Sequence, residues 1–435
     1  MTLRLASLLA GAAALAAPAF ATPLTLERAV SRALGHDPSI AAAEAALERR
    51  EAGVDAARAA AGPTAGLRAE AGALETRYPN LFDPSASDIT ASQLPYSAGL
   101  QASWDVYTSG ANAAGRDMAM SEREAAGLQL AGARERIVLQ TVEAYSDAWL
   151  RARIVEVGEA RVETLRLRLD ETRSRFDQGF GTRTDVALNE ARLAGAEAQL
   201  EASRAGVAVA TARLERLTGL AGAVPIAPVA DDLGAPQTLD AALERVREGN
   251  DQLKAARAGL DAAEAATRKA RGSFGPKVSL SARASAGKDV SFFFEDGEIT
   301  DYGAFVTLNI PLYTSGLKSA KAREAEAARA EALARVRQVE LGLREQVAGI
   351  WGDLQARTLS LEAAQRAEQA AALATEGARR EYEAGVRTLV DSLDAEDEYR
   401  DAQIRTLEAE TALFIARARL LALASDLETA LAPSP

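Results

Sequence analysis

The sequence predicts an α+β protein in which long coiled-coil helical hairpins alternate with pairs of β-strands. Three observations predict this class: an internal duplication, two long tracts without proline, and four segments of alternating apolar and polar residues. The 435-residue chain has a formal net charge of −12 and contains no cysteine. The acidic balance argues against a nucleic-acid partner, and the lack of cysteine excludes disulfides, thiolate metal sites and a lipidated cysteine.

The duplication is visible as a repeated motif. Tyr107-Thr-Ser-Gly110 returns 206 residues later as Tyr313-Thr-Ser-Gly316. Two copies of one supersecondary unit are the simplest interpretation. The predicted organisation is a signal peptide at 1–21, a first repeat at 22–220, a linker or equatorial segment at 221–236, a second repeat at 237–425 and a C-terminal tail at 426–435.

The first residues resemble a secretory signal peptide. Arg4 supplies a positive charge, Leu5 to Ala17 form an apolar run, and Ala19-Phe20-Ala21 fits a small-x-small cleavage site. The apolar run is too short to span a bilayer comfortably. We therefore expect cleavage near Thr22 and an exported protein.

The longest predicted elements are two helical hairpins, at 111–220 and 317–425. No proline occurs between Pro95 and Pro225 or between Pro311 and Pro433, which permits unusually long helices. Apolar residues recur at the 4-3-4 spacing of coiled-coil packing, as in Val138, Val142, Tyr145 and Trp149, and in Leu343, Val347, Ile350 and Leu354. Each tract is interrupted once, at a glycine-containing turn.

These turns form the predicted hairpin tips. Gly179 and Gly385 are expected to end the first helix of each hairpin in the left-handed conformation. Thr184 or Asp185 is expected to cap the returning helix of the first hairpin, and Thr388 or Asp391 that of the second.

Four segments, 64–74, 96–107, 277–288 and 302–312, alternate apolar and polar residues with a period of two. Strands of this length with one apolar face suit a transmembrane barrel. They equally suit a half-buried antiparallel sheet, and periodicity does not separate the two. Four strands cannot close a barrel with a usable lumen, and an open sheet is excluded from lipid. Transmembrane strands would therefore require several protomers, and three copies give twelve strands and twelve helical passages.

The whole predicted mature chain resembles the TolC outer-membrane efflux family. The residues that carry the resemblance are Leu26-x-x-Ala29-x-x-x-Ala33-Leu34 before Asp37-Pro38, then Ile310-Pro311-Leu312-Tyr313-Thr-Ser-Gly316, and Tyr382-x-x-Gly385 followed by Val390-Asp391-Ser-Leu393-Asp394-Ala395. The resemblance implies a homotrimeric channel-tunnel with a twelve-stranded β-barrel in outer-membrane lipid and a twelve-helix α-barrel in the periplasm of a Gram-negative bacterium. It also implies an exit duct for a tripartite efflux pump or a type I secretion system. The implied partners are a periplasmic adaptor protein and an inner-membrane ABC or proton-driven transporter.

The resemblance further implies the positions of a gate. Asp391 and Asp394 match the aspartates of the family's narrowest point, where a carboxylate ring could bind a blocking cation. Asp185, Tyr382 and Arg387 match the residues that lock the closed state. Phe176, Gly179, Gly181 and Gly385 mark the hairpin tips, where an adaptor is expected to dock. Helix capping is the alternative role for the three aspartates.

Other function classes are disfavoured. The single histidine, His36, precedes Pro38 at a predicted helix end, and no phosphate loop, nucleophile–histidine–acid set or metal-ligand cluster is visible. The sequence thus predicts no enzyme, no catalytic residue and no cofactor. The remaining alternative is a soluble periplasmic coiled-coil adaptor or scaffold protein.

Overall fold

The computed structural model describes residues 23–78, 89–226, 233–288 and 298–431. The predicted signal peptide lies outside the described residues, as do residues 227–232 of the predicted linker and 432–435 of the predicted tail. The chain forms two compact units. Unit 1 comprises Met1–Ala41, Ala131–Asn250 and Leu343–Pro435, and unit 2 comprises Ala42–Leu130 and Asp251–Gly342. Each unit contains segments of both sequence repeats.

The described residues form nine helices and eight strands. The helices are α1 (Leu26–His36), α2 (Pro38–Ala59), α3 (Ala111–Asp177), α4 (Arg183–Thr218), α5 (Leu239–Gly249), α6 (Asp251–Gly272), α7 (Leu317–Glu383), α8 (Leu389–Leu423) and α9 (Leu427–Ala430). The strands are β1 (Pro23–Leu24), β2 (Thr64–Ala71), β3 (Leu74–Tyr78), β4 (Ile89–Gln93), β5 (Tyr96–Tyr107), β6 (Val224–Pro225), β7 (Lys277–Lys288) and β8 (Glu298–Asn309).

The two long helices have the same length. α3 and α7 each contain 67 residues, which corresponds to about 100 Å at 1.5 Å per residue. Both start directly after the repeated Tyr-Thr-Ser-Gly motif, and the motif has the same backbone conformation in both repeats. Ser109 and Gly110 have positive φ angles of 49° and 82°, and Ser315 and Gly316 have 47° and 85°. Among the described helices, none combines the length and hydropathy needed to cross a bilayer.

Unit 2 contains a four-stranded antiparallel sheet in the order β2-β5-β7-β8. The register aligns apolar residues across all four strands. The aligned pairs include Leu67 with Leu100, Leu100 with Ala284, Trp104 with Leu280, Leu280 with Val306, and Val278 with Leu308. The sheet therefore has a continuous apolar face, and its large side chains are exposed, with Leu67 and Val306 each 73% accessible.

The opposite face of this sheet is polar. Lys277 pairs with Asp105 at 2.7 Å, and Arg283 pairs with Asp301 at 3.0 Å. Ser279 also donates a hydrogen bond to Asp105 at 2.8 Å. The sheet thus separates an apolar surface from a charged one across the thickness of a single layer.

Two details of the strands differ from the sequence prediction. The fourth strand runs from Glu298 to Asn309 and not from 302 to 312, because Pro311 lacks the N–H that a strand needs and the chain leaves the sheet before it. The first strand ends at Ala71, and β3 follows after a short break to form a separate antiparallel ribbon with β4. The α+β class with four main strands is confirmed.

The core of unit 1 is built around Tyr145, which is fully buried on α3. Its hydroxyl lies 2.7 Å from the carbonyl oxygen of Leu24 and 2.6 Å from that of Ile226. These carbonyls belong to the paired segments β1 and β6, which run parallel to each other. Burial raises the pKa of the Tyr145 hydroxyl to about 12.

The end of the described chain also packs in unit 1. The Glu135 carboxylate on α3 accepts hydrogen bonds from the backbone N–H groups of Leu427, at 2.6 Å, and Glu428, at 3.2 Å. These donors belong to the first turn of α9, where backbone N–H groups lack partners within the helix. Leu427 itself is completely buried. Residues 427–430 of the predicted tail are therefore a docked helix.

Candidate functional site at the helical hairpin tips

Both hairpin tips have the same backbone structure. Gly179 and Gly385 have φ angles of 81° and 74°, the left-handed conformation that the sequence predicts. The Gly179 N–H donates to the Phe176 carbonyl at 2.9 Å, and the Gly385 N–H donates to the Tyr382 carbonyl at 2.9 Å. Each tip thus closes with the hydrogen bonds expected where a helix ends at glycine.

The returning helices begin at threonine caps. Thr182 caps α4: its hydroxyl accepts the Asp185 N–H at 3.2 Å, and the Asp185 carboxylate accepts the Thr182 N–H at 3.1 Å. The prediction of Thr184 or Asp185 as the cap is wrong, because α4 starts at Arg183 and Asp185 is the third helical residue. Thr388 caps α8, as predicted, and accepts the Asp391 N–H at 3.3 Å.

The two candidate constriction aspartates lie on one face of α8, since they are three residues apart. Their environments differ. The Asp391 carboxylate contacts the neutral Thr388 hydroxyl at 2.6 Å. Asp394 instead pairs with the Arg192 guanidinium of α4, while its side chain remains 61% exposed. Within the described part of the chain, Asp394 is therefore paired with a cation and Asp391 is not.

Arg192 belongs to a larger group of charges. Its second nitrogen contacts Asp397 at 3.0 Å, and the other oxygen of Asp397 contacts Arg161 of α3 at 2.7 Å. Asp394, Arg192, Asp397 and Arg161 thus form a row of alternating charges that joins α8 to α4 and to α3; we call this row the tip relay.

A second charged contact joins α8 to α3 within the same turn. Arg168 contacts Glu396 at 2.9 Å, and both side chains are largely buried, at 16% and 17% exposure. Arg168 also contacts Glu171 at 3.1 Å. Burial lowers the pKa of Arg168, but hydrogen bonds and charge from Glu396 and then Glu171 outweigh it, so that the pKa is raised above its usual value.

Apolar packing positions the same segment of α8. Leu389 and Leu393 are buried in a cluster with residues of α3 and α4, which are Val162, Leu165, Ala196 and Leu200. Leu393 is 1% exposed. Because Leu393 is buried, its neighbour Asp394 is directed toward the edge of the cluster, where Arg192 meets it.

Among the described residues, no hydrogen bond or ion pair joins the three candidate lock residues to one another within this protomer. Tyr382 accepts a hydrogen bond from Arg175 at 2.7 Å, and the Arg175 guanidinium also lies 5.1 Å from the centre of the Tyr382 ring. Arg387 pairs with Glu381 at 2.9 Å. Asp185 is occupied by the cap of α4. The structure thus joins the two tips through Arg175 and Tyr382.

The outer surface of the tips is apolar in places. Phe180 is 82% exposed and Val386 is 80% exposed. Gly181 lies against the chain that precedes it, since a Cβ there would be 3.1 Å from the Phe176 backbone nitrogen. Phe176 itself is exposed. The tips therefore present exposed apolar side chains on a tightly turned backbone.

A cavity of about 390 Å³ lies beside the tip relay, between α3, α7 and α8. Its walls include Arg161, Arg168, Glu396 and Asp397. These arginines are already paired with these carboxylates. Arg379, Arg400 and Glu376 also line the cavity, so that its charged lining contains four arginines and three carboxylates.

Sequence reasoning missed Arg161, Arg168, Arg175 and Arg192. A signal for Arg192 existed, because it follows Asp185 by seven residues, which is two helical turns, and so lies on the same face of α4. No comparable signal marks Arg175, whose contact with Tyr382 joins residues 207 positions apart.

The geometry can be compared with known proteins. The family model described as outer membrane efflux protein matches residues 29–220 and 242–425. The outer membrane efflux protein BepC of Brucella suis is 30% identical over 289 residues, which cover 65% of this chain and 61% of BepC. Protein CyaE of Bordetella pertussis is 29% identical over 418 residues, covering 93% of this chain and 84% of CyaE.

A solved structure shares the fold over nearly the whole chain. The CmeC outer membrane channel of Campylobacter jejuni superposes with a TM-score of 0.78 at 14% identity, covering 92% of this chain and 86% of that chain. At this identity the likeness concerns the fold alone.

Proposed function

Because this chain belongs to the outer membrane efflux protein family, we propose that it is the exit duct through which a tripartite efflux pump or a type I secretion system releases cargo. It is an outer-membrane protein. The observation that carries the proposal is the continuous, exposed apolar face of the sheet in unit 2, opposite a charged face. A sheet with these two faces suits a wall between lipid and water.

The sheet needs further copies of the chain to become such a wall. In the described residues β2 pairs only with β5, and β8 pairs only with β7, so both edges retain free backbone groups. Unpaired backbone groups in lipid cost several kcal/mol each. Three protomers would join edge to edge into a twelve-stranded barrel, and the same symmetry would bring twelve helical passages together.

At the hairpin tips, Asp391 and Asp394 would form the constriction. Three copies would place six carboxylates around one axis, which favours cations over anions and offers a site for a blocking cation. Asp185, Tyr382 and Arg387 would lock the tips through contacts between neighbouring protomers. The Arg387–Glu381 pair within one chain is weak enough to exchange, because both side chains are exposed and exposed ion pairs contribute at most about 1 kcal/mol.

The tips would also be the place where a periplasmic adaptor docks. Phe176, Gly179, Gly181 and Gly385 lie at this end of the hairpins, beside the exposed side chains of Phe180 and Val386. Apolar side chains on a rigid turn are typical of binding surfaces. The adaptor would connect the duct to an inner-membrane ABC or proton-driven transporter.

The test is conductance of the purified protein in planar lipid bilayers. We expect the wild type to extract with detergent as a trimer and to conduct poorly, and D391A/D394A to conduct more and to lose cation preference. D401A is the matched control, because Asp401 is an exposed carboxylate farther along α8.

Two results would contradict the proposal. A monomer that remains soluble without detergent would favour a periplasmic adaptor or scaffold. A double variant with the conductance and selectivity of D401A would exclude Asp391 and Asp394 from the constriction.

A further inference from the structure

The two aspartates of the proposed constriction are not equivalent. The Asp394 carboxylate meets the Arg192 guanidinium, whereas the Asp391 carboxylate meets a neutral hydroxyl, that of Thr388. Arg192 comes from α4, so its bond to Asp394 joins the two hairpins of one protomer. The charge of one constriction carboxylate is therefore compensated by a different helix.

Arg192 is suited to hold this position firmly. Its guanidinium divides its donors between two carboxylates of α8, one nitrogen to Asp394 and the other to Asp397. The arginine side chain is 21% exposed, and Asp397 is held from its other side by Arg161. A planar fork that bridges two fixed carboxylates loses little additional freedom when the second bond forms.

We infer that Arg192 is a positioning residue that couples the charge of the constriction to the position of α8. The inference rests on the proposed function and goes beyond it. While α8 lies against α4, Arg192 neutralises Asp394 and only Asp391 contributes an uncompensated charge. When α8 moves away from α4, the Arg192–Asp394 bond breaks and the charge of the ring doubles, so that opening and cation preference rise together.

The experiment compares R192Q, R192K and R166Q in planar bilayers with a salt gradient. R166Q is the matched control, because Arg166 of α3 pairs with Glu197 of α4 at 2.8 Å and has no ion pair with α8 among the described residues. The readouts are the conductance and the ratio of cation to anion permeability. If Arg192 acted in folding alone, R192Q would not change this permeability ratio.

We expect R192Q to raise both readouts. R192Q removes the ion pairs of Arg192 with both Asp394 and Asp397, and each lost pair shifts a two-state equilibrium by up to roughly fivefold. R192K retains the charge but not the fork, so its conductance should rise while its permeability ratio stays closer to that of the wild type. R192Q/D394N should return the ratio to that of D394N, because the unpaired carboxylate is then absent.

The inference is overturned if R192Q matches R166Q in both readouts, or if R192Q raises conductance without raising the permeability ratio. The D391A/D394A variant separates this result from failure of the proposed function. If that double variant opens the channel and R192Q does not, the constriction stands and the role of Arg192 is wrong. If neither variant differs from its control, the constriction itself is wrong.

Discussion

The Arg168–Glu396 contact predicts an asymmetric response to mutation. Both side chains are largely buried, and their atoms approach to 2.9 Å. Arg168 has a second partner, Glu171, at 3.1 Å, whereas Arg168 is the one hydrogen-bond and ion-pair partner of Glu396 among the described residues. R168M should therefore leave Glu396 without a partner in a poorly solvated position, while E396Q leaves Arg168 paired with Glu171.

The expected costs follow from this difference. An unpaired, largely buried charge costs about 3 kcal/mol, so R168M should destabilise unit 1 by roughly that amount. E396Q keeps a side chain of the same shape and loses one charge-assisted hydrogen bond, which is worth about 1.5 kcal/mol. R168M/E396L removes both charges and should be more stable than R168M alone, because no carboxylate is left unpaired.

Thermal loss of the helical circular dichroism signal in detergent measures the effect. We expect the melting midpoint to be highest for the wild type, lower for E396Q and lowest for R168M. This order tests the predicted asymmetry without a two-state assumption. R168M/E396L should melt above R168M. The reasoning is refuted if E396Q melts at or below R168M, or if the double variant melts below both single variants.

Two further predictions concern unit 1. Y145F removes the hydroxyl near the Leu24 and Ile226 carbonyls and should lower the stability of the fold by about 1–3 kcal/mol. The loss should be equal at pH 6 and pH 9, because the pKa of this phenol is raised to about 12. A melting midpoint equal to that of the wild type would contradict this prediction. Burial and then the charge of Glu368 raise the pKa of Glu410. The folded state therefore favours protonated Glu410. The stabilisation that protonation provides is present below the ordinary pKa of 4.5 and is lost as the pH rises through the raised pKa of Glu410. E410Q should raise the melting midpoint at pH 7 but not at pH 4, and an equal change at both pH values would count against it.

The sequence allowed prediction of those parts of the fold that local patterns determine. The hairpins follow from the proline-free tracts and the apolar spacing. The tips follow from Gly179 and Gly385, because glycine is the residue that adopts the left-handed backbone conformation readily. The alternation of apolar and polar residues predicted β5 and β7 with the bounds that the structure has. These signals lie within a few residues of the feature they predict.

The cap of α4 is marked by a local signal in the sequence. Thr182 and Asp185 have the spacing of a capping box, with the acid three residues after the cap. The second repeat shows the same spacing in Thr388 and Asp391. Comparison of the two repeats would have selected Thr182 over Thr184, because Thr184 has no acid three residues later.

The charged contacts at the tips could not be predicted in this way. Arg192 and Asp394 are 202 residues apart, and Arg168 and Glu396 are 228 apart. Arginine and acidic residues are so frequent on these helices that any one arginine has many possible partners. The packing of Leu393 against α3 and α4 selects among them, since it fixes the rotation of α8.

Asp391 has a structural role in the first turn of α8 that mutation must separate from its proposed role in the constriction. Its carboxylate lies in the first turn of α8, where a negative charge stabilises the helix by about 0.3–1 kcal/mol. The carboxylate also accepts a hydrogen bond from the Thr388 hydroxyl. D391A removes both the charge and the contact, whereas D391N retains a side-chain oxygen that the Thr388 hydroxyl can reach. A constriction effect should therefore appear in both variants, and fraying of the helix start should be greater in D391A. If D391N conducted like the wild type while D391A conducted more, the change would come from the helix cap and not from the charge of the ring.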